Sequence, residues 1–437
     1  MCDVHHGDCL AVLRTLPDES VDAVVTDPPY GLSNTGPDNV ADTITRWATG
    51  ERDHIPTGRG FMGQAWDGFV PPPSVWDECL RVLKPGGHMA VFAGSRTQDL
   101  MGLSIRLAGF EIRDGIGWIY GSGMPKSHDV SKAIDKRAGA EREVVGSQRL
   151  GGNAAQSTKE KGGTYATNTD SVGVAAIDVP ITAPATPEAE RWAGWGTALK
   201  PAIEPIILAR KPLTGTVAAN VLEWGTGALN IDASRVAASE TLVRPDIERT
   251  DNAVFGRGLG AGTQTEPSGR WPANVLLDPE AAAAMDEQSG VLSPGNRPRV
   301  RNADTNRTTY GSFEGQDGLE QKGMGSGGAS RFFPVFKYQA KAPKRERPVI
   351  EREDGTKIQH PTVKPLALME WLVTLVTPPG GVVLDPFAGS GTTLQAARDK
   401  GFRSIGIEAD ADHVALIRER LEQGSGEPDL FTCGSGG

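Results

Sequence analysis

The sequence predicts an α/β protein built on a doubly wound, mostly parallel sheet. Three observations carry that expectation. Between residues 74 and 120 helical and strand patterns alternate, as a sheet covered by helices on both faces requires. A strand, a Gly-rich turn, a helix and a further strand occupy residues 381–408. An apolar run over residues 21–25, broken only by Asp22, reads as a buried strand and stops at two prolines. Open α/β sheets bind ligands beyond the C-terminal ends of their strands, so the residues that follow these strands are the functional candidates.

A chain of 437 residues suggests two or three domains, or one domain with large insertions. Hydrophobic residues make up 38%, enough for a real core, while 55 glycines and 31 prolines point to many turns and long loops. No apolar run approaches the roughly 20 residues of a membrane span. The N-terminus lacks a basic region followed by an apolar stretch, so no secretory signal is expected. Cys2, Cys9, Cys79 and Cys433 are scattered, which argues against a disulfide framework and fits a reducing cytoplasm. The net charge of -10 counts mildly against a nucleic-acid binder, although local patches matter more than the total.

Residues 4–6 read as a strand, and residues 9–16 as a short helix for which Asp8 is the natural N-cap. Cys2, His5, His6 and Cys9 do not read as a metal site: adjacent His5 and His6 point to opposite faces of a strand, and no second ligand pair follows. Residues 31–72 are polar and rich in Gly and Pro. They read as a long loop, either a mobile flap over a site or a surface excursion. A helix over 74–83 ends at Lys84-Pro85-Gly86-Gly87, and a strand over 88–93 follows. A helix over 96–108 closes at Gly109 and leads into a strand over 110–120. In that strand Trp118 and Tyr120 share a face, Trp118 suited to the core and Tyr120 to a pocket edge.

Residues 129–138 look helical, and residues 139–190 lose periodicity as a flexible insertion would. Residues 201–210 read as a buried strand whose partner is the strand over 110–120. Residues 214–330 mix Gly-rich turns with short ordered pieces at 221–224 and 275–277, and carry a cluster of Arg297, Arg299, Arg301 and Arg307. The stretch from Arg331 to Tyr338 is aromatic and basic, and Lys337, Lys341, Lys344, Arg345 and Arg347 extend it. Basic residues interleaved with aromatics suit a nucleic-acid backbone and its bases.

Two motifs carry chemistry. Thr26-Asp27-Pro28-Pro29-Tyr30 displays a carboxylate, a rigid carbonyl and an aromatic ring together at a strand tip. The Asp27 side chain and the Pro28 carbonyl can accept the two hydrogens of an exocyclic amine, while Tyr30 stacks on the ring that bears it. The second is Asp385-Pro386-Phe387-Ala388-Gly389-Ser390-Gly391-Thr392-Thr393, a strand-to-helix turn whose glycines let backbone approach a ligand. Glu408, at the tip of the next strand, is placed to bind ribose hydroxyls. The glycine spelling lowers a dinucleotide reading, and the lack of a following lysine excludes a P-loop.

Asp-Pro-Pro-Tyr resembles the catalytic motif of the DNA adenine-N6 and cytosine-N4 amino-methyltransferases. The turn at 385–393 and His360-Pro361-Thr362-Val363-Lys364-Pro365 resemble that family's cofactor motifs. Catalytic motif before cofactor turn is the permuted order of its beta class. The resemblance covers residues 1–135, 195–213 and 331–423. It implies a circularly permuted Rossmann-like methyltransferase sheet, mostly parallel with one antiparallel strand, and a large irregular recognition insertion. By its layout, residues 1–138 form the catalytic half, 139–194 a flexible insertion and 195–213 a returning core strand. Residues 214–330 form the target-recognition region, 331–423 the cofactor half and 424–437 a disordered tail.

The resemblance further implies S-adenosyl-L-methionine as methyl donor, held by Asp8, Cys9, Thr362, Lys364, Asp385, Pro386, Phe387, Gly389, Gly391, Thr392 and Glu408. Asp27, Pro28, Pro29 and Tyr30 would be catalytic, and His360 would have no chemical role. Double-stranded DNA would be the partner, held in part by Arg331, Lys337, Lys341, Lys344 and Arg345. No metal or membrane is implied, and oligomeric state stays open. Within the family, Asp before Pro-Pro-Tyr leans to adenine N6, with cytosine N4 the alternative. RNA or protein-glutamine methyltransferases share the tetrapeptide but usually place the cofactor turn first. A non-catalytic DNA-binding scaffold is the remaining alternative, and intact Asp27, Pro28 and Tyr30 argue against it. With neither a helicase P-loop nor a nuclease motif, a solitary or accessory modification enzyme is expected.

Overall fold

The computed structural model describes residues 2–33, 35–58, 60, 65–121, 123, 127–150, 177–237, 269–291, 327–336, 348–352, 354–360 and 362–423. They fall into two compact units, Met1–Ser122 with Ala202–Gly437, and Gly123–Pro201.

In chain order the strands are β1 (Cys2–His6), β2 (Val21–Thr26), β3 (Leu83–Phe92), β4 (Glu111–Ile119), β5 (Val144–Leu150), β6 (Ile177–Thr182), β7 (Ile203–Arg210), β8 (Val275–Leu277), β9 (Ile350–Glu351), β10 (Lys357–Ile358), β11 (Val382–Asp385) and β12 (Arg403–Glu408). Eight form one sheet in the order β1-β12-β11-β2-β3-β7-β4-β8. Every neighbouring pair is parallel except those of β7, which runs antiparallel to both β3 and β4. The sheet is thus mixed and mostly parallel, and its one antiparallel strand is the apolar run at 201–210.

The two-residue side-chain period of strands divides the core into two layers. From β2, Val24 joins one layer, and Ala23 and Val25 join the other. Met89 and Val91 of β3 and Ile207 and Ala209 of β7 follow Val24. Ala90, Phe92, Ile206 and Leu208 go to the opposite face. Helices Pro37–Thr49, Pro73–Val82 and Gln98–Leu107 cover the first layer through Trp47, Trp76, Met101 and Ile105. Helices Leu366–Val376 and Thr392–Asp399 cover the second through Leu368, Leu372, Ala396 and Ala397.

Several local expectations are corrected. Residues 37–49 of the expected loop form a helix, with Pro at its N-terminus and Gly50 closing it at φ 111°. Val40, Thr43, Ile44 and Trp47 recur at helical spacing, and Trp47 is buried edge-on against Phe69. The strand expected over 88–93 begins at Leu83 instead. Val21 pairs with Leu83 and Ala23 with His88, so Lys84–Gly87 bulge out of the ladder. That bulge lets Lys84 Nζ reach Asp22 Oδ1 at 2.7 Å, and Asp22 Oδ2 accepts the Val382 amide at 2.7 Å. The one acid in the apolar run therefore ties β2 to β11. The ordered piece read at 221–224 is there, as the end of helix Val217–Trp224, whereas Tyr120, expected at a pocket edge, is buried beside Trp118.

In the second unit, β5 and β6 pair as an antiparallel hairpin, so the described part of residues 139–194 has regular structure. Among its described residues a polar cluster is buried beside Ala189. Buried Asp135, on helix Val130–Ala138, pairs with Arg142 at 2.5 Å and accepts from Thr186 Oγ1 and the Ala185 amide. Among the described residues no helix is long and apolar enough to cross a membrane.

Candidate active site

Parallel pairing of β1, β12, β11 and β2 sets their C-terminal tips on one edge of the sheet. Asp8 follows β1, Glu408 ends β12, Asp385 ends β11 and Asp27 follows β2. Four candidate acids, far apart in sequence, thus share one edge.

After β2 the two prolines remove backbone donors, and side chains from elsewhere fix the following turn. The Tyr30 and Gly31 amides both donate to Asp67 Oδ1, at 2.8 and 3.0 Å, and Thr97 Oγ1 donates to the Tyr30 carbonyl at 2.6 Å. Asp67 is buried, as is Pro28, while Asp27 and Tyr30 are half-buried. The Tyr30 hydroxyl lies 2.8 Å from Asp27 Oδ1 and 2.5 Å from Glu204 Oε1, on β7. Lys364 Nζ donates to Asp27 Oδ2 at 2.5 Å and lies 3.1 Å from both the Tyr30 hydroxyl and Glu204 Oε1. It also sits over the Phe92 ring at 4.8 Å. Burial, and then the Asp27 and Glu204 charges, push the Tyr30 phenol well above its ordinary range. Burial works against the Lys364 ammonium, but Asp27 and Glu204 outweigh it and raise its pKa, so Lys364 stays charged.

The second motif builds the neighbouring half. Asp385 is buried, and Thr26 Oγ1 donates to its Oδ1 at 2.7 Å, linking the tips of β2 and β11. The Phe387 amide donates to the same oxygen at 3.1 Å. Burial pushes the Asp385 carboxyl up to about 6, against the hydrogen bonds from Thr393, Thr26 and Phe387. Pro386 and Thr392 are buried, and Phe387 meets Trp76 edge-on. Gly391, at φ 79°, begins helix Thr392–Asp399, and a Cβ there would lie 3.1 Å from Ile417 Cγ2. Gly389, at φ 53°, donates its amide to Glu408 Oε2 at 2.8 Å. Burial raises the Glu408 carboxyl, but His413 and the amides of Asp410 and Gly389 hold it below the usual range.

Asp8 caps its helix through Ala11 and lies beside Glu408, because the Gly7 amide donates to the Glu408 carbonyl at 2.9 Å. Burial pushes the thiol of neighbouring Cys9 up to about 12. His360 packs on the glycine turn, 4.6 Å from the His413 ring. Burial and then His413 lower its pKa to about 4, so it is neutral near pH 7. Exposed Thr362 contacts His360 through its backbone.

The sequence reading missed Glu204 and Asp67. An acid within an apolar strand is a weak signal for Glu204, and Asp67, in an irregular stretch, gave none. Arg331 lies over the Phe332 ring at 4.6 Å, with Arg270 over the same ring at 5.2 Å. Lys337, Lys341, Lys344, Arg345, the arginines between 297 and 307 and the tail at 424–437 lie outside the described residues. Among the described residues, no group of three or more His, Cys, Asp and Glu side chains is arranged to hold a metal ion.

A family model described as DNA methylase (N6_N4_Mtase) matches residues 21–419. The type II methyltransferase M2.DpnII of Streptococcus pneumoniae is 45% identical over 64 residues, 15% of this chain and 24% of that protein. The DNA adenine methyltransferase YhdJ of Escherichia coli (strain K12) is 42% identical over 66 residues, 15% of this chain and 22% of that protein. The chain thus spans less than a quarter of the length of these two relatives. Among solved structures, PvuII DNA methyltransferase (cytosine-N4-specific) gives a TM-score of 0.40 at 14% identity, over 96% of this chain and 85% of that one. The M1.HpyAVI–SAM complex gives 0.36 at 15%, over 96% and 99%.

Proposed function

The chain belongs to the DNA methylase family, and from that premise we propose that it methylates an exocyclic amine of a DNA base, adenine N6 first. The observation that carries the proposal is the shared edge of the sheet: the Asp27 clamp stands beside the Asp385 turn, joined to it through Thr26. S-adenosylmethionine, bound at that turn, supplies an electrophilic methyl group. The residues fit such a ligand. Gly389 and Gly391 take positive φ in a turn that leads into a helix N-terminus, where backbone can approach a ligand. Glu408, held ionised, suits ribose hydroxyls. Asp8, Cys9, Thr362, Asp385, Pro386, Phe387 and Thr392 line the rest of the pocket.

The target base leaves the duplex at a cost of a few kcal/mol, and stacking on Tyr30 returns about 1–3 kcal/mol. Asp27 and the Pro28 carbonyl accept the two amine hydrogens. This turns the nitrogen lone pair toward the methyl group, so the protein acts by orientation and electrostatics. Asp27 takes the proton that the methylated amine sheds. Arg331 and the basic stretch after it track the DNA backbone, residues 214–330 select the sequence, and motif order makes this a permuted member of the family.

Sequencing DNA from cells expressing the protein, with detection of modified bases, tests the proposal. The expected product is N6-methyladenine at one sequence. N4-methylcytosine alone would overturn the adenine assignment, and methyl transfer to RNA but not DNA would overturn the substrate.

A further inference from the structure

We propose that Glu204 is a positioning residue of the amine clamp: it keeps the Lys364 ammonium when Asp27 turns to the target amine. The inference rests on the function proposed above and concerns a residue outside both motifs.

An ammonium has three donors, and Lys364 meets three acceptors: Asp27 Oδ2 at 2.5 Å, Glu204 Oε1 at 3.1 Å and the Tyr30 hydroxyl at 3.1 Å. The Tyr30 hydroxyl, which has one proton to donate, lies 2.8 Å from the other Asp27 oxygen and 2.5 Å from Glu204 Oε1. Each Asp27 oxygen therefore faces one of the protein's own donors, and the target amine needs one of those oxygens. An arriving base must displace one of those donors.

Both donors can turn to Glu204 Oε1, but Lys364 is the one that carries a charge to rehouse. Its side chain is only 11% exposed and lies against the Phe92 and Tyr30 rings, so retreat into water is restricted. With Asp27 as its sole counter-ion, releasing that carboxylate would strand a buried charge. Glu204 removes the obstacle. It is already within ion-pair distance, and it lies on β7, hydrogen-bonded into the sheet along its whole length.

Charge counting gives the same residue a second consequence. Asp27 and Lys364 cancel, and Glu204 leaves the cluster one unit negative. As the amine takes the methyl group, its lone pair forms the N–C bond and the C–S pair leaves with sulfur. The nitrogen is positive until an N–H proton passes to Asp27. A clamp without Glu204 would be neutral at the moment when a cation develops within it.

The test compares wild type, Glu204→Gln, Lys364→Met and the double variant. A duplex with 2-aminopurine next to the target adenine, which keeps its N6 amine, reports displacement of that adenine from the stack by its fluorescence, without cofactor. Turnover and S-adenosylmethionine affinity are measured in parallel. Glu204→Gln should lower base insertion and kcat by roughly 10- to 100-fold, the range for one charge-assisted hydrogen bond, with cofactor affinity unchanged. Adding Lys364→Met should restore insertion, since Asp27 is then free and the cluster is again one unit negative. Lys364→Met alone should insert the base at least as well as wild type. Wild-type behaviour of Glu204→Gln, or a double variant no better than Glu204→Gln, would overturn the inference. So would poorer insertion by Lys364→Met, even if Glu204→Gln fails to fold. Absence of DNA methylation by wild type would instead sink the proposed function.

Discussion

Thr26→Val probes the join between the two halves of the site. The substitution keeps the side chain's shape and removes the hydroxyl that donates to Asp385 Oδ1 at 2.7 Å. A hydrogen bond to a charged group contributes about 1.5–3 kcal/mol, which at 1.36 kcal/mol per pKa unit raises Asp385 from about 6 to about 7–8. The sign follows from linkage. The folded-state pKa already lies above the ordinary carboxyl value of 3.8, so wild type loses stability as pH rises through about 6. The variant goes on losing stability up to its own higher pKa. The gap between the two proteins should therefore be about 1 kcal/mol or less at pH 5, where the carboxyl is neutral, and about 1.5–3 kcal/mol at pH 8.5. Urea unfolding at both pH values measures it, with Thr26→Ser as the control that keeps the hydroxyl. An equal gap at both pH values, or the same gap for Thr26→Ser, would refute the reasoning.

Three further outcomes are expected. Gly391→Ala forces a side chain into the left-handed region against Ile417, costing about 1–2 kcal/mol, and should weaken S-adenosylmethionine binding by titration calorimetry. Burial, and then Arg210 and Arg113, lower the His88 pKa from 6.5 to about 4. Its native state resists protonation, so stability is full above about pH 6.5 and falls by up to about 3 kcal/mol as pH drops toward 4. His88→Gln should flatten that slope in melting curves taken between pH 7 and 4.5. Trp47→Ala removes a buried ring and its Nε1 bond to the His54 carbonyl at 2.8 Å, and should cost about 3–5 kcal/mol in urea unfolding. A cost below about 1 kcal/mol would return residues 37–49 to the status of a surface flap.

Elements with strong local patterns were legible in the sequence. The strands that became β2, β7 and β11 are short apolar runs punctuated by proline, glycine or acid, and such runs have few alternatives once helices flank them. Helix Pro37–Thr49 was missed because four inward residues among polar neighbours are easily lost in a Gly- and Pro-rich stretch. At the site, motif spelling located Asp27 and Asp385, because each carries its own turn. Glu204 and Asp67 are 174 and 37 residues from their Tyr30 partner, and beyond the oddity of an acid in an apolar strand at Glu204 nothing near them in sequence marks those contacts. Lys364 was placed on the cofactor side by its motif, while its ammonium meets Asp27.

The adjacency of β2 and β11 also bears on synthesis. Thr26 and Asp385 touch, yet 359 residues separate them. At ribosomal speeds of about 5–20 residues per second, the Asp27 motif waits roughly 20–70 s before its neighbouring strand is made. During that interval β2 has an open edge where β11 will pair, and β1 likewise lacks β12. A nascent chain therefore has no assembled site until its last strands are made, and the two unpaired edges are where a chaperone or a misfolding partner would find it.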